Sequence, residues 1–109
     1  MKIIIHGTKI ELTPAMKSFI EEKVGALQKF SKEADNLIEA RVEIGKPSRH
    51  HKSGPVYYAE INLKVGGKLI RAESHHADLY TAINLTRDKA EIELIKFKEK
   101  KTDSTKRSR

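Results

Sequence analysis

The apolar positions of this chain change period several times, and each change predicts an element. Lys2 to His6 is a short run rich in β-branched residues, which favours a strand, and Gly7 is expected to end it. Thr13-Pro14 reads as a helix start. A threonine side chain accepts from the first free N–H groups, and proline loses no hydrogen bond at the first helical position. Met16, Phe19, Ile20, Val24 and Leu27 then recur at three- and four-residue spacing, predicting an amphipathic helix over about 13–29. Leu37 to Ile44 alternates, with Ile38, Ala40, Val42 and Ile44 on one side and Glu39, Arg41 and Glu43 on the other, as a half-buried strand does. Tyr57, Ala59, Ile61, Leu63 and Val65 alternate with Tyr58, Glu60, Asn62 and Lys64. Gly66-Gly67 then supplies the positive-φ pair of a tight hairpin, and Ile70, Ala72 and Ser74 carry the alternation onward. The last element begins near Ala77 and runs to about Lys100, with a stripe of Leu79, Ile83, Ala90, Leu94 and Phe97. Residues 102–109 contain no apolar side chain and are expected to form a disordered basic tail.

The order β-α-β-β-β-α predicts an α+β domain over 1–101. A β-α-β crossover is right-handed in nearly all cases, so the first strand should lie parallel beside the second, with the remaining strands as an antiparallel meander. The expected product is a four-stranded mixed sheet with both helices on one face, resembling a double-stranded-RNA-binding domain. The opposite face would carry Glu39, Arg41, Glu43, Tyr58, Glu60, Asn62 and Lys64. Its mixed sign makes it a poor polyanion surface.

Charge sharpens the picture. The chain has 109 residues and a formal net charge of +7, and its excess lies in residues 45–55 and 96–109, the rest being nearly neutral. Clustered cations displace the counterions condensed on a phosphate backbone, which suggests a polyanionic partner. The simpler alternative is a solvated face with a basic tail. With no cysteine there is no disulfide framework, thiolate metal site or cysteine nucleophile. The N-terminal apolar run is too short for a signal peptide, and no stretch approaches the ~20 apolar residues of a membrane span. A cytoplasmic protein with no membrane contact is expected.

Two segments carry more than periodicity: Ile10-Glu11-Leu12-Thr13-Pro14-Ala15-Met16-Lys17 and Asp78-Leu79-Tyr80-Thr81-Ala82-Ile83. They resemble the openings of the first and second helices in bacterial ribosome hibernation factors, the hibernation-promoting factor and ribosome-associated inhibitor A family. The Gly-Gly hairpin, the strand before His75-His76 and the basic last helix fall in matching order. The resemblance covers about 1–101. It implies a factor that binds the small ribosomal subunit, through its ribosomal RNA, in the channel of messenger and transfer RNA. Such a factor inhibits translation by blocking both. It implies RNA-binding roles for Lys17, Lys23 and Lys29 on the first helix and Lys89, Lys96 and Lys100 on the second, where Arg87 joins them as a candidate. Long flexible cations suit irregularly placed phosphates, so binding would be driven by shape and charge. Tyr80 is a candidate for stacking on a base or for packing. No catalytic residue, cofactor, metal or small-molecule substrate is implied, and the free protein is expected to be a monomer.

The chain also departs from that pattern. Ile92 stands where the family often has a basic residue, and with Leu85 and Ile95 it forms a second apolar stripe, which serves either a partner contact or a wider core face, the core face being the expected reading. The connection Gly45 to Pro55 is long, free of acids and bears Lys46, Arg49 and Lys52; with Lys98 and Lys101 these are additional RNA-binding candidates. The sequence shows no acidic C-terminal tail and no dimerisation domain of the long members, so a short family member is expected.

Other chemistry is weaker. His50-His51 and His75-His76 invite a metal, but adjacent side chains in an extended segment point apart and no cysteine or spaced carboxylate completes a set. Gly66-Gly67 is not a phosphate loop, because no helix or Lys-Ser/Thr follows it. A general double-stranded-RNA-binding protein would place lysines at the start of its last helix, where this chain has none. A protein-interaction module of similar fold is the alternative from another class.

Overall fold

The computed structural model describes residues 1–31, 37–46 and 56–107, with the backbone alone for Ile38 and for 101–107. The elements follow the expected order: β1 (Lys2–Thr8), α1 (Pro14–Gly25), a 3-10 helix (Ala26–Phe30), β2 (Leu37–Gly45), β3 (Tyr57–Val65), β4 (Lys68–His76) and α2 (Leu79–Arg107). The strands form one four-stranded sheet in the order β1-β2-β3-β4. β1 runs parallel to β2, pairing Ile3 with Ala40 and Ile5 with Val42, while β2–β3 and β3–β4 are antiparallel.

Element ends show where local chemistry prevails. Thr13 caps α1 by accepting from the Met16 N–H at 3.1 Å, with Pro14 at the first helical position. The expected helix to residue 29 changes to 3-10 geometry after Gly25, whose backbone freedom weakens an α-helix. β1 does not stop at Gly7 but reaches Thr8. Glycine is needed there because a Cβ would lie 2.8 Å from the Ile10 carbonyl oxygen. Gly66 and Gly67 take φ of 48° and 80°, the positive pair of a two-residue hairpin. The register shifts between Leu37 and Glu39, so Leu37 is the buried residue at that end of β2. The expected core side chain, Ile38, lies outside the described side chains.

Both helices cover one face of the sheet. Met16, Ile20, Val24 and Leu27 meet Ala40, Val42, Ile44, Ile61 and Leu63 in a single core with Ile83 and Leu94. Each of the larger side chains contributes about 1.5–3 kcal/mol through the water it leaves. Along α2 the buried line includes Ala82, Thr86 and Ala90 at four-residue spacing, and the strands below answer with Ala59, Ala72 and Ser74. Small residues on both sides let the helix approach closely. The Thr86 hydroxyl lies 2.8 Å from the Ala82 carbonyl oxygen and 3.2 Å from that of Ala59 on β3, so its proton serves either the helix turn or the strand.

The helix corrects two expectations. The backbone is helical through Arg107, beyond the end expected near Lys100. No glycine or proline stops it. Two members of the second stripe do not widen the core face: whereas Ile95 is half-buried, Leu85 and Ile92 are 41% and 51% exposed. The sheet lies under the small-residue line and leaves them at the edge.

α2 starts on an Asp78 cap, whose Oδ2 accepts from the Thr81 N–H and hydroxyl, each at 2.8 Å. Hydrogen bonds from the Thr81 hydroxyl and N–H hold the Asp78 carboxyl below the usual carboxylate range. A carboxylate lowered in the folded state contributes stability above its unfolded pKa, and that contribution is lost as pH falls through the folded value. Asp78→Asn keeps an acceptor that does not titrate. The melting-temperature advantage of the wild type over this variant should therefore shrink as pH falls below about 4. A constant difference in thermal melts across that range would count against the cap. Ala82→Leu should cost ~1–3 kcal/mol by forcing α2 off the sheet, read as a lower urea midpoint at unchanged m value. Equal midpoints would contradict the close approach.

Candidate nucleic-acid interface

The face of the sheet away from the helices neutralises itself. Arg41 Nε meets Glu39 at 2.9 Å, Asn62 Nδ2 donates to Glu60 at 2.8 Å, and Arg71 Nη2 reaches Glu60 at 2.8 Å and Glu73 at 3.3 Å. Tyr58 donates to Glu60 and, at 3.2 Å, to Glu73. Burial pushes the Glu60 carboxyl up, but hydrogen bonds from Tyr58 and Asn62 and the charge of Arg71 outweigh it and hold the group below its ordinary value. Burial and acceptance by Glu60 push the Tyr58 phenol up, so it stays a donor at neutral pH. Cations already matched with carboxylates offer little to a phosphate.

The helices are different. Lys89, Lys96 and Lys100 stand at i, i+7 and i+11 and so point within about 20° of the Lys89 direction, forming one row on the edge of α2 toward β4. Lys89 Nζ donates to the Glu73 carbonyl oxygen at 3.0 Å, and Lys96 lies 3.7 Å from Glu93. Lys68, which opens β4, joins this row with its ammonium over the Phe97 ring at 5.5 Å.

A second group gathers where α1 and the 3-10 helix meet α2. Phe19 and Tyr80 touch edge to face with ring centroids 4.7 Å apart. Lys23 Nζ lies 5.7 Å from the Phe19 ring centre and Lys29 Nζ 5.2 Å from that of Phe30. Arg87 belongs to this group as a strap. Its Nε donates to the Lys23 carbonyl oxygen at 3.4 Å, its Nη1 reaches Glu91 at 2.5 Å, and its guanidinium carbon lies 5.9 Å from the Phe30 ring centre. Only 15% of its side chain is exposed, so its donors are turned inward to protein groups. It fixes how the lysine-bearing helices sit relative to each other.

The candidates therefore do not form one patch. Lys89, Lys96 and Lys100 share one edge of α2, Lys23 and Lys29 gather with Arg87 on the other, and exposed Lys17 lies about 120° around α1 from Lys23. Lys98 is half-buried on the Arg87 side, and Lys46 lies over the Tyr57 ring at 5.8 Å. Arg49 and Lys52 fall outside the described residues, as does the Lys101 side chain. Sequence reasoning missed Lys68, whose one signal is its place directly after Gly67. Phe19, expected in the apolar stripe of the first helix, packs against the core, and its half-buried ring also carries contacts to Lys23 and Tyr80. At the start of α2, where a double-stranded-RNA-binding domain presents lysines, the Asp78 carboxylate stands instead.

Among the described residues no group of three His, Cys, Asp or Glu is placed to hold a metal ion, and no helix is long and apolar enough to cross a membrane. His50 and His51 lie outside the described residues.

Comparison with known proteins gives a consistent result. A family model described as sigma 54 modulation protein / S30EA ribosomal protein matches residues 3–102. The ribosome hibernation promotion factor of Deinococcus radiodurans is 34% identical over 99 residues, covering 86% of this chain and 47% of that protein. The chain thus spans about half the length of that relative. The ribosome hibernation promoting factor of Azotobacter vinelandii is 30% identical over 103 residues, covering 94% of this chain and 88% of that protein. The crystal structure of the Thermus thermophilus Protein Y N-terminal domain superposes with a TM-score of 0.74 at 28% identity, over 89% of this chain and 99% of that one.

The strap is testable apart from any ligand. Arg87→Ala should lower stability by ~1–3 kcal/mol in urea unfolding, whereas Lys17→Ala should stay within about 0.5 kcal/mol of wild type. Arg87→Lys keeps the charge but loses the planar fork, so it should fall close to the alanine variant. Wild-type stability in Arg87→Lys would reduce the residue to a simple charge.

Proposed function

Because this chain belongs to the sigma 54 modulation protein / S30EA ribosomal protein family, we propose that it is a ribosome hibernation factor acting on the small subunit in the cytoplasm. It occupies the decoding and transfer-RNA channel and inhibits translation by excluding messenger and transfer RNA. It acts stoichiometrically, through lysine contacts to ribosomal RNA phosphates, with no chemical step and no cofactor. Lys89, Lys96, Lys100, Lys17, Lys23 and Lys29 make those contacts, and Arg87 positions the helices that carry them.

The observation that supports this reading is the placement of lysines on both edges of α2, beside a sheet face whose charges are paired internally. A duplex lying on one surface would use one edge. A body enclosed by RNA walls meets phosphate on several sides, and flexible ammonium groups adapt to them without reading bases. The family relatives are named as hibernation factors, which is the activity such a plug performs.

Co-sedimentation with isolated small subunits, across a salt series and with competing transfer RNA, tests the proposal. Saturable one-to-one binding that transfer RNA displaces is the expected result. Contacts to about six phosphates would lose on the order of 10³-fold in affinity between about 50 and 200 mM salt. Combined Lys89→Glu, Lys96→Glu and Lys100→Glu should weaken association and flatten the salt dependence by about three phosphate contacts, with an unchanged circular dichroism spectrum. Unchanged binding by that variant would refute the site, and binding to generic RNA alone would refute the channel.

A further inference from the structure

β4 is an edge strand: it pairs with β3, and among the described residues no strand lies on its other side. The tight turn fixes which of its backbone groups are free. Val65 and Lys68 flank Gly66-Gly67 and face each other in the register, so they form the hydrogen-bonded pair that closes a two-residue hairpin. Counting in twos, Ile70, Ala72 and Ser74 turn their N–H and C=O groups toward β3, whereas Leu69, Arg71 and Glu73 turn theirs outward. The contact from Lys89 Nζ to the outward Glu73 carbonyl, at 3.0 Å, agrees with this parity. The backbone groups of Leu69 and Arg71 remain along the edge.

Beside that edge α2 forms a wall. A groove of about 430 Å³ runs between them, lined by Lys68, Leu69, Arg71, Lys96, Phe97 and Lys100. A second groove of about 290 Å³ lies between Arg71 and Glu73 on β4 and Lys89 and Ile92 on α2. Leu69, 62% exposed, and Ile92, 51% exposed, give the edge apolar surface. Exposed strand edges in natural proteins are usually covered or interrupted. Here the lysine caps one carbonyl and leaves the adjacent positions open.

We infer that the β4–α2 groove binds an extended protein segment with alternating acidic and apolar side chains, which adds to the sheet as a further strand along Leu69 and Arg71. Outward N–H and C=O groups supply the backbone ladder, and alternate side chains of an added strand fall on opposite faces. Its acidic residues face Lys89, Lys96 and Lys100 on the helix side, and its apolar residues lie beside Leu69. The outward backbone groups of Leu69 and Arg71 favour a peptide, which can pair with both N–H and C=O, and the lysine row that meets phosphate on the ribosome is open to it in the unbound protein. Glu73, Glu93 and Glu99 stand among the cations. The groove is nonetheless net cationic, with Lys68, Arg71, Lys89, Lys96 and Lys100 around those three carboxylates, so it attracts acidic side chains. The inference concerns a protein partner and does not rest on ribosome binding.

The probe is a fluorescein-labelled, end-blocked peptide of alternating glutamate and valine, titrated into the full chain at low salt by anisotropy, with amide exchange of the protein followed by NMR. Saturable binding that slows exchange at Leu69 and Arg71 is expected. Leu69→Pro removes an N–H that β3 does not use, a substitution an edge strand tolerates, and should weaken binding by about tenfold, the worth of one or two backbone hydrogen bonds. Ile92→Glu, on the helix surface with the strand intact, should weaken it similarly by repelling the peptide carboxylates. Absence of saturable binding, or equal binding by both folded variants, overturns the inference. So does slowed exchange at Leu69 and Arg71 with oligouridylate, which would assign the groove to RNA.

Discussion

The close approach of α2 to the sheet is the constraint on which the rest of the molecule depends. Ala82, Thr86 and Ala90 present a line with little side-chain volume, and Ala59, Ala72 and Ser74 leave room beneath it. Dense packing there sets the height and rotation of the helix, because interiors do not tolerate even small changes in volume cheaply. Once that rotation is fixed, the placement of every other α2 residue follows. Leu94 and Ile83 enter the core, Lys89 reaches the backbone of β4, Arg87 reaches the end of α1, and Leu85 and Ile92 are left outside.

Electrostatic function is distributed in the same way. On the outer sheet face, Glu60 gathers Tyr58, Asn62 and Arg71 into a network whose charges largely cancel. On the helical side the ammonium groups of Lys23, Lys29 and Lys68 lie over the rings of Phe19, Phe30 and Phe97. An aromatic ring below a cation holds its direction without neutralising it, which leaves the charge available to an external phosphate. Arginine and lysine divide the labour: the arginines Arg41, Arg71 and Arg87 are tied to protein carboxylates, and the row facing outward is made of lysine. A planar fork suits fixed internal partners, and a flexible point charge suits irregular external ones.

The same helix rotation creates two surfaces of unlike character. Its α1 edge is aromatic and cationic, closed by the Arg87 strap. Its β4 edge combines lysines with exposed Leu69 and Ile92 beside a free strand. An additional protein strand accounts for the backbone parity, the apolar side chains and the interspersed acids together.

What the sequence by itself determined was everything that depends on local geometry. Strand and helix periods are set by backbone dihedrals within each segment, so the element order, the Thr13-Pro14 start, the Gly66-Gly67 turn and the inward members of β3 and β4 were legible residue by residue. The family resemblance was legible for the same reason, resting on short contiguous motifs. The end of α2 was misread because a polar composition does not by itself stop a helix that lacks glycine and proline. Tertiary structure alone decided which side of each element a cation or an apolar residue occupies. The second stripe could not be told from core by spacing, since burial depends on where the sheet lies. Likewise Arg87 and Lys23 are separated by most of the fold in sequence, and Lys68 joins the Lys96 row only across a helix–strand packing distance. Periodicity records what each segment does to itself, whereas the interface is made by how closely segments distant in the chain come together.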